Sequence, residues 1–388
     1  MKQALIIASV ASMIDQFNMP NIRLLQKLGY HVEVACNFTI GNTCSQEKIA
    51  QLRKTLSEMK VDCFQIDFER SITKIAQNIK AYKELKAIAA QKKYDIIHCH
   101  SPIGGFIGRL VFKNYRKQGS KVIYTAHGFH FYKGASLKNW LFYYPVERLC
   151  AHWTDVLITI NKEDYALAQK KFKAKQIVYV PGVGIDVTKF ANTVVDKAKK
   201  RQDIGVPDDA FLLLSVGELS KRKNHETVIR ALAQLDNSNI HYVIAGQGDL
   251  FDYLIKLAKD LKVYNQIHLL GFRTDAAELY KVTDLLVFPS YQEGLPVSVM
   301  EAMASGLPCI VSKIRGNVDL INCDGGALCS LDSCEDFSKA ISEYENNLTI
   351  GKEKGEYNRM VAQKFDISNI NIMMQNIYES ISENGNDK

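Results

Sequence analysis

The sequence predicts an α/β protein built from two Rossmann-like domains, in which parallel sheets are flanked by helices. Short apolar runs rich in β-branched residues recur along the chain, and stretches with helical spacing lie between most of them. Strands that alternate with helices favour parallel sheets covered on both faces. The 388 residues exceed the usual size of one domain, so two domains are the natural division.

The predicted strands form two series. The first series comprises ALIIASV, HVEVAC, YDIIHCH, KVIYTAH, DVLITI and QIVYV, and the second comprises FLLLSV, HYVIAG, QIHLLG, DLLVF and PCIVS. Between the series, residues 180–209 contain Gly-rich turns, a run of lysines and a Pro turn, which indicate a domain boundary. We therefore expect domains at residues 1–185 and 186–365, followed by a C-terminal helix at 366–388 that returns to the first domain.

Composition favours a globular protein of the cytoplasm. Apolar residues make up 47% of the chain and charged residues 23%, which is ample for a buried core. The nine cysteines include no C-x-x-C pair, so reduced thiols are expected. No apolar run reaches the ~18–20 residues that a membrane span requires. The opening MKQALIIASVASM is interpreted as a first strand rather than a signal peptide.

Charge is divided unevenly between the two halves. Residues 1–180 contain 27 Lys and Arg against 13 Asp and Glu, a net of +14, whereas the remaining residues contain 22 against 29, a net of −7. A basic first half suggests an anionic partner, for which nucleic acid, an acidic membrane surface and a phosphorylated substrate are candidates. Solvated lysines without a partner are the alternative. Nucleic acid is disfavoured because no DNA- or RNA-binding motif accompanies the charge.

A basic loop follows the first strand of the second series. FLLLSV continues into GELSKRKNHETVIRAL, where Gly217 permits a tight turn. Lys221, Arg222 and Lys223 precede a helix that is expected to begin near Asn224 or His225. Cations next to a helix N-terminus favour phosphate binding, and ligands of doubly wound sheets bind beyond the carboxyl ends of the strands. A solvated basic turn without a ligand is the alternative.

Two glutamates eight positions apart follow the strand DLLVF. The helix in YQEGLPVSVMEAMASG is expected to begin near Pro296, which leaves Glu293 in the loop and Glu301 on the helix. A carboxylate at Glu301 could accept two hydrogen bonds from a vicinal diol such as that of a ribose, and the amides of Gly294 and Leu295 could hold a phosphate. The structural alternative places Glu293 near the helix cap and Glu301 in an ion pair.

The first half carries an H-x-H pattern in IIHCHSP. His98 and His100 point to the same face of a strand, but no third ligand is evident, so a metal site is not expected. We expect the pair to lie near an acceptor substrate. The following loop, SPIGGFIGRL, has a Gly-rich turn at Gly104 and Gly105 that could hold an acceptor phosphate.

The segment EGLPVSVMEAMASGLPCIVS closely resembles the signature of retaining family 4 glycosyltransferases of the GT-B fold. VGELSKRKNHE, VIAGQGD, HLLGFRTDAAELYKVTDLLVFPS and SKIRGNVDLI stand in the order found in that family. In the first half, YDIIHCHSPIGGFIGRL and YTAHGFHFYKGASLKNWLFYYPVERLCAHWTDVLITIN look like capsular and exopolysaccharide members. The resemblance implies an acceptor-binding first domain and a nucleotide-sugar-binding second domain, facing each other across a cleft.

The resemblance also implies roles for individual residues. Glu301 corresponds to the ligand of the ribose, Glu293 to a residue beside the donor sugar and its anomeric carbon, and Lys223 to the lysine that binds the diphosphate. His127, at the end of KVIYTAH, corresponds to a first-domain histidine that faces the donor sugar. His127, Lys223 and Glu293 are therefore the expected catalytic residues.

Two further matches concern the base and the second phosphate cation. Phe272 and Arg273 correspond to a turn whose backbone contacts the base. Many family members carry arginine directly after the glycine that corresponds to Gly217, whereas this chain has Glu218. Arg222 is the expected replacement for that arginine.

The expected chemistry requires no metal. No D-x-D sequence, the usual metal-binding signature for a sugar diphosphate, occurs in the chain. Cations and helix amides would stabilise the departing diphosphate instead. Retention in this family is commonly explained by front-face attack, in which the leaving phosphate takes the acceptor's proton. The expected substrate is a UDP-sugar, and no cofactor is expected.

These observations predict a retaining hexosyl- or N-acetylhexosaminyltransferase of capsular or exopolysaccharide biosynthesis. It would act on a polyprenyl-diphosphate-linked oligosaccharide at the inner face of the cell membrane, to which it would bind peripherally. Lys113, Arg116 and Lys117 on a basic helix are the expected lipid contacts, with the surface around Lys133, Lys138 and Trp140 as the alternative. A nucleotide-sugar epimerase and a catalytically silent nucleotide-binding partner remain alternative functions.

Overall fold

The computed structural model of the chain describes residues 1–69 and 71–383, with backbone only for Glu383. Its contacts divide the chain into two compact units. Unit 1 comprises Met1–Val183 and the residues from Ile370 onward, and unit 2 comprises Gly184–Asn369. Residues 384–388 of the predicted C-terminal segment lie outside the described residues.

Unit 1 contains a seven-stranded sheet in which every strand pair is parallel, in the order β3-β2-β1-β4-β5-β6-β7. The strands are β1 Lys2–Val10, β2 Tyr30–Asn37, β3 Asp62–Gln65, β4 Ile96–His100, β5 Lys121–Ala126, β6 Val156–Thr159 and β7 Gln176–Tyr179. Alternate residues of β1 enter different apolar clusters: Ile6 lies in one and Ile7 in the other. The sheet is therefore buried on both faces.

The helices of unit 1 form one layer on each face of the sheet. The first layer comprises α1 Ala11–Phe17, α2 Met19–Lys27, α3 Gln46–Glu58 and most of the last helix, Ile367–Glu383. The second layer includes α4 Ile75–Gln91, α5 Pro102–Phe112, α6 Leu137–Ala151 and α7 Lys162–Lys171. The last helix buries Ile370, Met374 and Tyr378 in the core of unit 1, and the hydroxyl of Tyr30 bonds Ser382 Oγ at 2.6 Å.

Unit 2 contains a six-stranded parallel sheet in the order β10-β9-β8-β11-β12-β13. The strands are β8 Phe211–Val216, β9 Ile240–Ala245, β10 Ile267–Gly271, β11 Leu285–Phe288, β12 Cys309–Ser312 and β13 Gly326–Cys329. The helices are α8 Val187–Asn192, α9 Lys197–Asp203, α10 His225–Leu235, α11 Phe251–Asp260, α12 Ala276–Val282, α13 Val297–Ala304, α14 Asn317–Leu320, α15 Cys334–Asn346 and α16 Leu348–Ala362, so that Ile367–Glu383 is α17. Helices α10, α11 and α15 cover one face.

The predicted α/β class, with parallel sheets flanked by helices, is confirmed. Two strands were missed, β3 and β13, and each is a four-residue strand at the edge of its sheet. In the described part of the chain, no helix combines the length and the apolar character that a bilayer span requires.

Each sheet reverses its strand order once, between β1 and β4 in unit 1 and between β8 and β11 in unit 2. Loops that follow the strands at such a reversal lie at the carboxyl edge of the sheet, where doubly wound proteins bind ligands. In unit 2 these loops carry the predicted phosphate and ribose residues.

Candidate functional site

The candidate site of unit 2 is built from the loops that follow β8, β11 and β12. Its first component is Lys223, immediately before α10. A Cβ on Gly217 would lie 3.0 Å from Lys223 Cε, so glycine at this position lets the lysine side chain pass close to the strand end. Lys223 Nζ lies 4.5 Å from the centroid of the Phe288 ring. Burial lowers the pKa of Lys223, while the neighbouring Glu293 carboxylate acts in the opposite direction.

Glu293 links the two cations of the predicted phosphate loop. Its Oε1 accepts hydrogen bonds from Lys223 Nζ and Arg222 Nη1, both at 2.8 Å. Arg222 Nη1 also lies 3.2 Å from the carbonyl oxygen of Gln292. The structure therefore brings the loops after β8 and β11 together around one carboxylate, a pairing that the spacing of the glutamates did not reveal.

Two further residues fix the position of the Glu293 loop, and sequence reasoning assigned no role to either. Arg315 is buried, and its Nε donates to the carbonyl oxygen of Glu293 at 3.1 Å. Gly316 has φ +82°, and a Cβ there would lie 2.4 Å from the carbonyl oxygen of Gly294. The segment SKIRGNVDLI carried the signal, since a glycine after a cation at a strand end indicates a close backbone approach.

Helix α13 begins at Val297, one residue after the predicted start, because Pro296 is its N-cap in extended conformation. Within the described residues, no side chain caps the amides of its first turn. Gly294 is partly exposed ahead of the helix, and Leu295 is buried. An uncapped helix N-terminus beside two cations suits an anionic group.

Glu301 lies on α13 and pairs with the side chain of Tyr280. The Tyr280 hydroxyl donates to Glu301 Oε2 at 3.1 Å and lies 3.0 Å from the carbonyl oxygen of Ser298. Burial raises the pKa of the Glu301 carboxyl to about 7, although Tyr280 and Lys189 act in the opposite direction. The carboxylate thus has capacity for further donors, such as the hydroxyls of a diol.

The turn after β10 contains an exposed phenylalanine and an arginine that is paired inside unit 2. Phe272 is 61% exposed. Arg273 Nε donates to Asp275 Oδ1 at 2.8 Å, and Lys200 also pairs with Asp275. The Arg273 guanidinium is thereby engaged within unit 2, and the contact of this turn's backbone with the base stays a prediction.

In unit 1, the three predicted histidines lie together on β4 and just after β5, with His98 and His100 buried and His127 partly exposed. His98 uses both ring nitrogens, with Tyr378 Oη at 2.8 Å and Thr125 Oγ1 at 2.8 Å. His100 Nδ1 lies 3.1 Å from His127 Nε2. Burial lowers the pKa of His98 to about 3 and that of His127 to about 4. His98 and His100 share a face, as predicted, with ring centroids 4.1 Å apart.

The contacts of His98, Gly104 and Gly105 lie inside unit 1, and the acceptor role expected for them stays a prediction. His98 is fully buried with both nitrogens bonded inside unit 1. The amide of Gly104 donates to Ser9 Oγ at 3.0 Å, so it has a partner other than a phosphate. A Cβ on Gly105 would lie 2.4 Å from the Tyr124 ring. These glycines allow α5 to pack closely on the sheet.

The prediction that Lys113, Arg116 and Lys117 lie on one basic helix is wrong. Helix α5 ends at Phe112, and Tyr115–Gln118 forms a separate 3-10 turn. Arg116 Nη2 lies 2.8 Å from Asp155 Oδ1, and Lys113 Nζ lies 4.9 Å from the Trp153 ring centroid. Two of the three cations therefore have partners inside unit 1.

Within the described residues, one group has the composition of a metal site. His31, Glu33 and Asp62 bring three ligand atoms within 4.8 Å of one another. However, Lys92 Nζ and Tyr94 Oη each lie 2.5 Å from a Glu33 oxygen. The group is therefore an ion-pair network at the sheet edge, and no ligand is assigned to it.

The chain matches the sequence models of two glycosyltransferase families. Residues 196–361, within unit 2, match the group 1 glycosyl transferases. Residues 7–161, within unit 1, match the family described as glycosyl transferase 4-like. The two matches thus fall on different units and together span most of the chain.

Individual relatives extend this likeness over most of the sequence. EpsD of Bacillus subtilis (strain 168), assigned as a glycosyltransferase, is 33% identical over 387 residues, which cover 98% of this chain and 97% of EpsD. The UDP-Gal:alpha-D-GlcNAc-diphosphoundecaprenol alpha-1,3-galactosyltransferase of Escherichia coli is 31% identical over 282 residues, or 69% of this chain and 72% of the relative.

Solved structures agree on the fold. Anabaena HepE in complex with UDP-glucose superposes with a TM-score of 0.79 at 18% identity. The match covers 98% of this chain and 100% of HepE. WaaG, a glycosyltransferase involved in lipopolysaccharide biosynthesis, has a TM-score of 0.72 at 20% identity, with 97% of this chain covering 99% of WaaG. Given these likenesses and the two family matches, the chain belongs to the group 1, family 4-like glycosyltransferases of the GT-B fold.

Proposed function

We propose that the chain is a retaining glycosyltransferase that moves a hexosyl or N-acetylhexosaminyl group from a UDP-sugar to a lipid-linked oligosaccharide. The observation that carries the donor assignment is the arrangement in unit 2, where Lys223 and Arg222 converge on Glu293 beside the uncapped N-terminus of α13. Cations and helix amides together suit a diphosphate. Glu301, farther along the same helix, is the proposed ligand of the ribose hydroxyls.

In this proposal, the diphosphate competes with Glu293 for Lys223 and Arg222. Both cations bond the same carboxylate oxygen, so a bound diphosphate would take over hydrogen bonds that Glu293 now accepts. The freed carboxylate could then approach the donor sugar. Gly217, Gly294 and Leu295 complete the phosphate side of the site, and the backbone at Phe272 and Arg273 is proposed for the base.

The proposed reaction needs no side-chain nucleophile. The bond between the anomeric carbon and the β-phosphate oxygen breaks, and the acceptor oxygen bonds that carbon on the same face. The acceptor's proton passes to the departing phosphate oxygen, so the products are UDP and the extended acceptor. Lys223, Arg222 and the α13 amides would stabilise the charge that develops on UDP, without a metal. His127 of unit 1 keeps the role at the donor sugar that the family resemblance implies.

Support for a lipid-linked acceptor comes from a relative and from the surface of unit 1. The name of the Escherichia coli relative specifies a diphosphoundecaprenol acceptor. A Klebsiella pneumoniae relative, 28% identical, is named for its place in a cps region, which favours polysaccharide assembly. In unit 1, a groove of about 380 Å³ between α4 and α5 is lined mainly by apolar residues: Ile75, Ile79, Tyr82, Phe106, Ile107 and Leu110. Such a groove could accommodate the hydrocarbon chain of the acceptor.

The outer face of α6 is the proposed membrane contact. Its exposed apolar side chains recur at helical spacing and are Leu137, Leu141, Phe142, Val146 and Leu149. Leu137 and Leu141 are 81% and 73% exposed, an unusual state for a leucine stripe on a protein surface. Lys138 and Arg148 are exposed on the same helix. Apolar residues flanked by cations suit the interface of an anionic bilayer.

Trp140 does not belong to this face. Its ring packs against Phe131 with centroids 5.6 Å apart, and its Nε1 donates to the carbonyl oxygen of Tyr132 at 3.3 Å. The alternative lipid contact was the surface around Lys133, Lys138 and Trp140. There the two lysines are exposed, whereas the tryptophan is turned inward. The proposed contact therefore depends on aliphatic residues and Phe142.

Product analysis tests the proposed transfer. The purified chain would be incubated with UDP-sugars and a diphosphoprenyl-linked saccharide, and the product mass and anomeric configuration would be determined by mass spectrometry and NMR. Mass gain on the acceptor with the donor's configuration supports the proposal. Change of the UDP-sugar without acceptor would assign an epimerase, and UDP binding without turnover would assign a silent partner. A chelator should leave activity intact, and its loss would assign a metal.

A further inference from the structure

His100 makes a direct contact with His127, and this contact restricts what His127 can offer a ligand. His100 is the last residue of β4, and His127 directly follows β5, its parallel neighbour. His100 Nδ1 lies 3.1 Å from His127 Nε2. A neutral imidazole has one donor and one acceptor nitrogen, so one ring donates to the other and their tautomers are linked.

The surroundings keep both rings neutral. Burial is the main cause that lowers the pKa of His127 to about 4 and holds the pKa of His100 well below its usual value. Two imidazolium rings would place a donor on each nitrogen and abolish the bond. The contact therefore requires that at least one ring is neutral, and both are neutral at pH 7.

The ring of His100 is fixed from several sides. It lies 4.1 Å from the His98 ring, which is held by Tyr378 and by Thr125, two residues before His127. Among the described residues, His100 Nε2 is buried without a hydrogen-bond partner. An unpaired buried nitrogen is costly, and such atoms often have a functional reason.

We propose that His100 is a positioning residue that holds the ring plane and tautomer of His127, so that His127 Nδ1 is the atom presented to the donor sugar. No hydrogen bond to that Nδ1 is found in the part of the chain that the structure describes. The proposal rests on the proposed function of His127 and adds to it the residue that orients the ring. His100 itself need not touch the substrate.

Two variants of His100 separate positioning from mere packing. In His100→Asn, a side-chain atom remains near the position of Nδ1 and can still bond His127, whereas His100→Leu cannot. We expect His100→Leu to lower kcat by roughly tenfold with little change in KM for the donor, since one orienting hydrogen bond is lost. His100→Asn should retain most of kcat. His152→Leu, at an exposed histidine of the same unit, is the control and should behave as the parent chain.

Nitrogen NMR of the histidine rings gives a readout that packing alone would not change. In the parent chain at pH 7, His127 should show a single tautomer, and in His100→Leu a mixture of two. If His100→Leu retains full kcat and a single His127 tautomer, the proposal is wrong. Should both variants fail to fold, rapid tautomer averaging at His127 in the parent chain would also overturn it.

The same measurements separate this inference from the function on which it rests. If His127→Ala loses transferase activity but His100→Leu does not, His127 keeps its role and the positioning role of His100 fails. If His127→Ala retains full activity, the assigned role of His127 fails instead.

Discussion

Polar side chains end the central strands of both units, but their partners differ. In unit 2, Lys223 and Arg222 both pair with Glu293, and the Arg222 side chain is 44% exposed to solvent. In unit 1, His98 is closed off by Tyr378 and Thr125. A strand-end position therefore does not by itself make a ligand contact. What distinguishes the units is whether the polar atoms can exchange their present partners for those of a ligand.

We expect the largest effect, a loss of kcat, when a cation that stabilises the leaving diphosphate is removed. Lys223→Ala is expected to lower kcat by roughly 100- to 1,000-fold, because a buried donor aimed at the leaving group contributes mainly in the transition state. Arg222→Ala should be the next most damaging change in this loop. Lys256→Ala, at an exposed lysine of α11 outside this loop, is the control and should retain activity. Steady-state kinetics would measure all three, and full activity in both Lys223→Ala and Arg222→Ala would place the diphosphate elsewhere.

Membrane binding through α6 should give the next effect. The double change Leu141→Ser and Phe142→Ser is expected to weaken binding to phosphatidylglycerol vesicles by about 10- to 100-fold, since two apolar side chains no longer enter the bilayer interface. Ile372→Ser, at an exposed isoleucine of α17, controls for the loss of an apolar surface residue. Flotation at low salt would measure this, and undiminished binding by the double variant would rule out α6.

In unit 1, Gly105→Ala should affect stability rather than chemistry. The new Cβ would lie 2.4 Å from the Tyr124 ring, which is fixed by Glu147 and by the Arg109 guanidinium 3.8 Å from its centroid. We expect a loss of about 1–3 kcal/mol in the free energy of unfolding, as for other overpacked sites. Gly351→Ala is the matched control, because the nearest atoms there are 3.7 Å away. Denaturant titration would measure both, and an unchanged Gly105→Ala would argue against the packing role.

The pH dependence of UDP binding should give the smallest effect. Burial raises the pKa of Glu301 from 4.5 to about 7, so without ligand this group costs stability as the pH rises through that range. Ribose hydroxyls favour the ionised form, so UDP affinity should fall about tenfold between pH 8 and pH 6. The terminal phosphate of UDP also changes its protonation near pH 6. The pH dependence measured for Glu301→Gln therefore serves as the reference for this contribution. If calorimetry finds the same pH dependence of UDP affinity in the parent chain and in Glu301→Gln, the proposed role of the Glu301 carboxyl group is contradicted.

The sequence patterns identified the central strands and two of the four edge strands, β7 and β10, but not the edge strands β3 and β13. The central strand Leu285–Phe288 is apolar throughout, as expected for a strand that is buried on both faces. The missed strands Asp62–Gln65 and Gly326–Cys329 are four-residue edge strands whose two central side chains are partly exposed, which weakens the hydrophobic signal. Each pairs with the strand that precedes it along the chain, β2 and β12 respectively.

The sequence indicated candidate residue types for the site, which stay predictions, but it did not indicate the partners of those residues. The segments that carry Lys223, Glu293 and Glu301 could be recognised, but not the sharing of Glu293 by two cations. The contact of Arg315 with the carbonyl oxygen of Glu293 spans separate loops. The pairing of His100 with His127 likewise depends on the alignment of two strands 27 positions apart. Such contacts arise from the fold and leave no local pattern.

The affinity of UDP for Glu301→Gln tests the central claim most directly, because it examines nucleotide binding at unit 2 without requiring an acceptor or the correct sugar. Calorimetric titration at pH 8 would compare the parent chain, this variant and Glu353→Gln, a control at an exposed glutamate of α16. The account predicts that Glu301→Gln weakens binding by about 1–3 kcal/mol, or roughly 5- to 150-fold, while the control binds as the parent chain does. Equal affinity of Glu301→Gln and the parent chain would contradict the ribose assignment and the placement of the donor on α13.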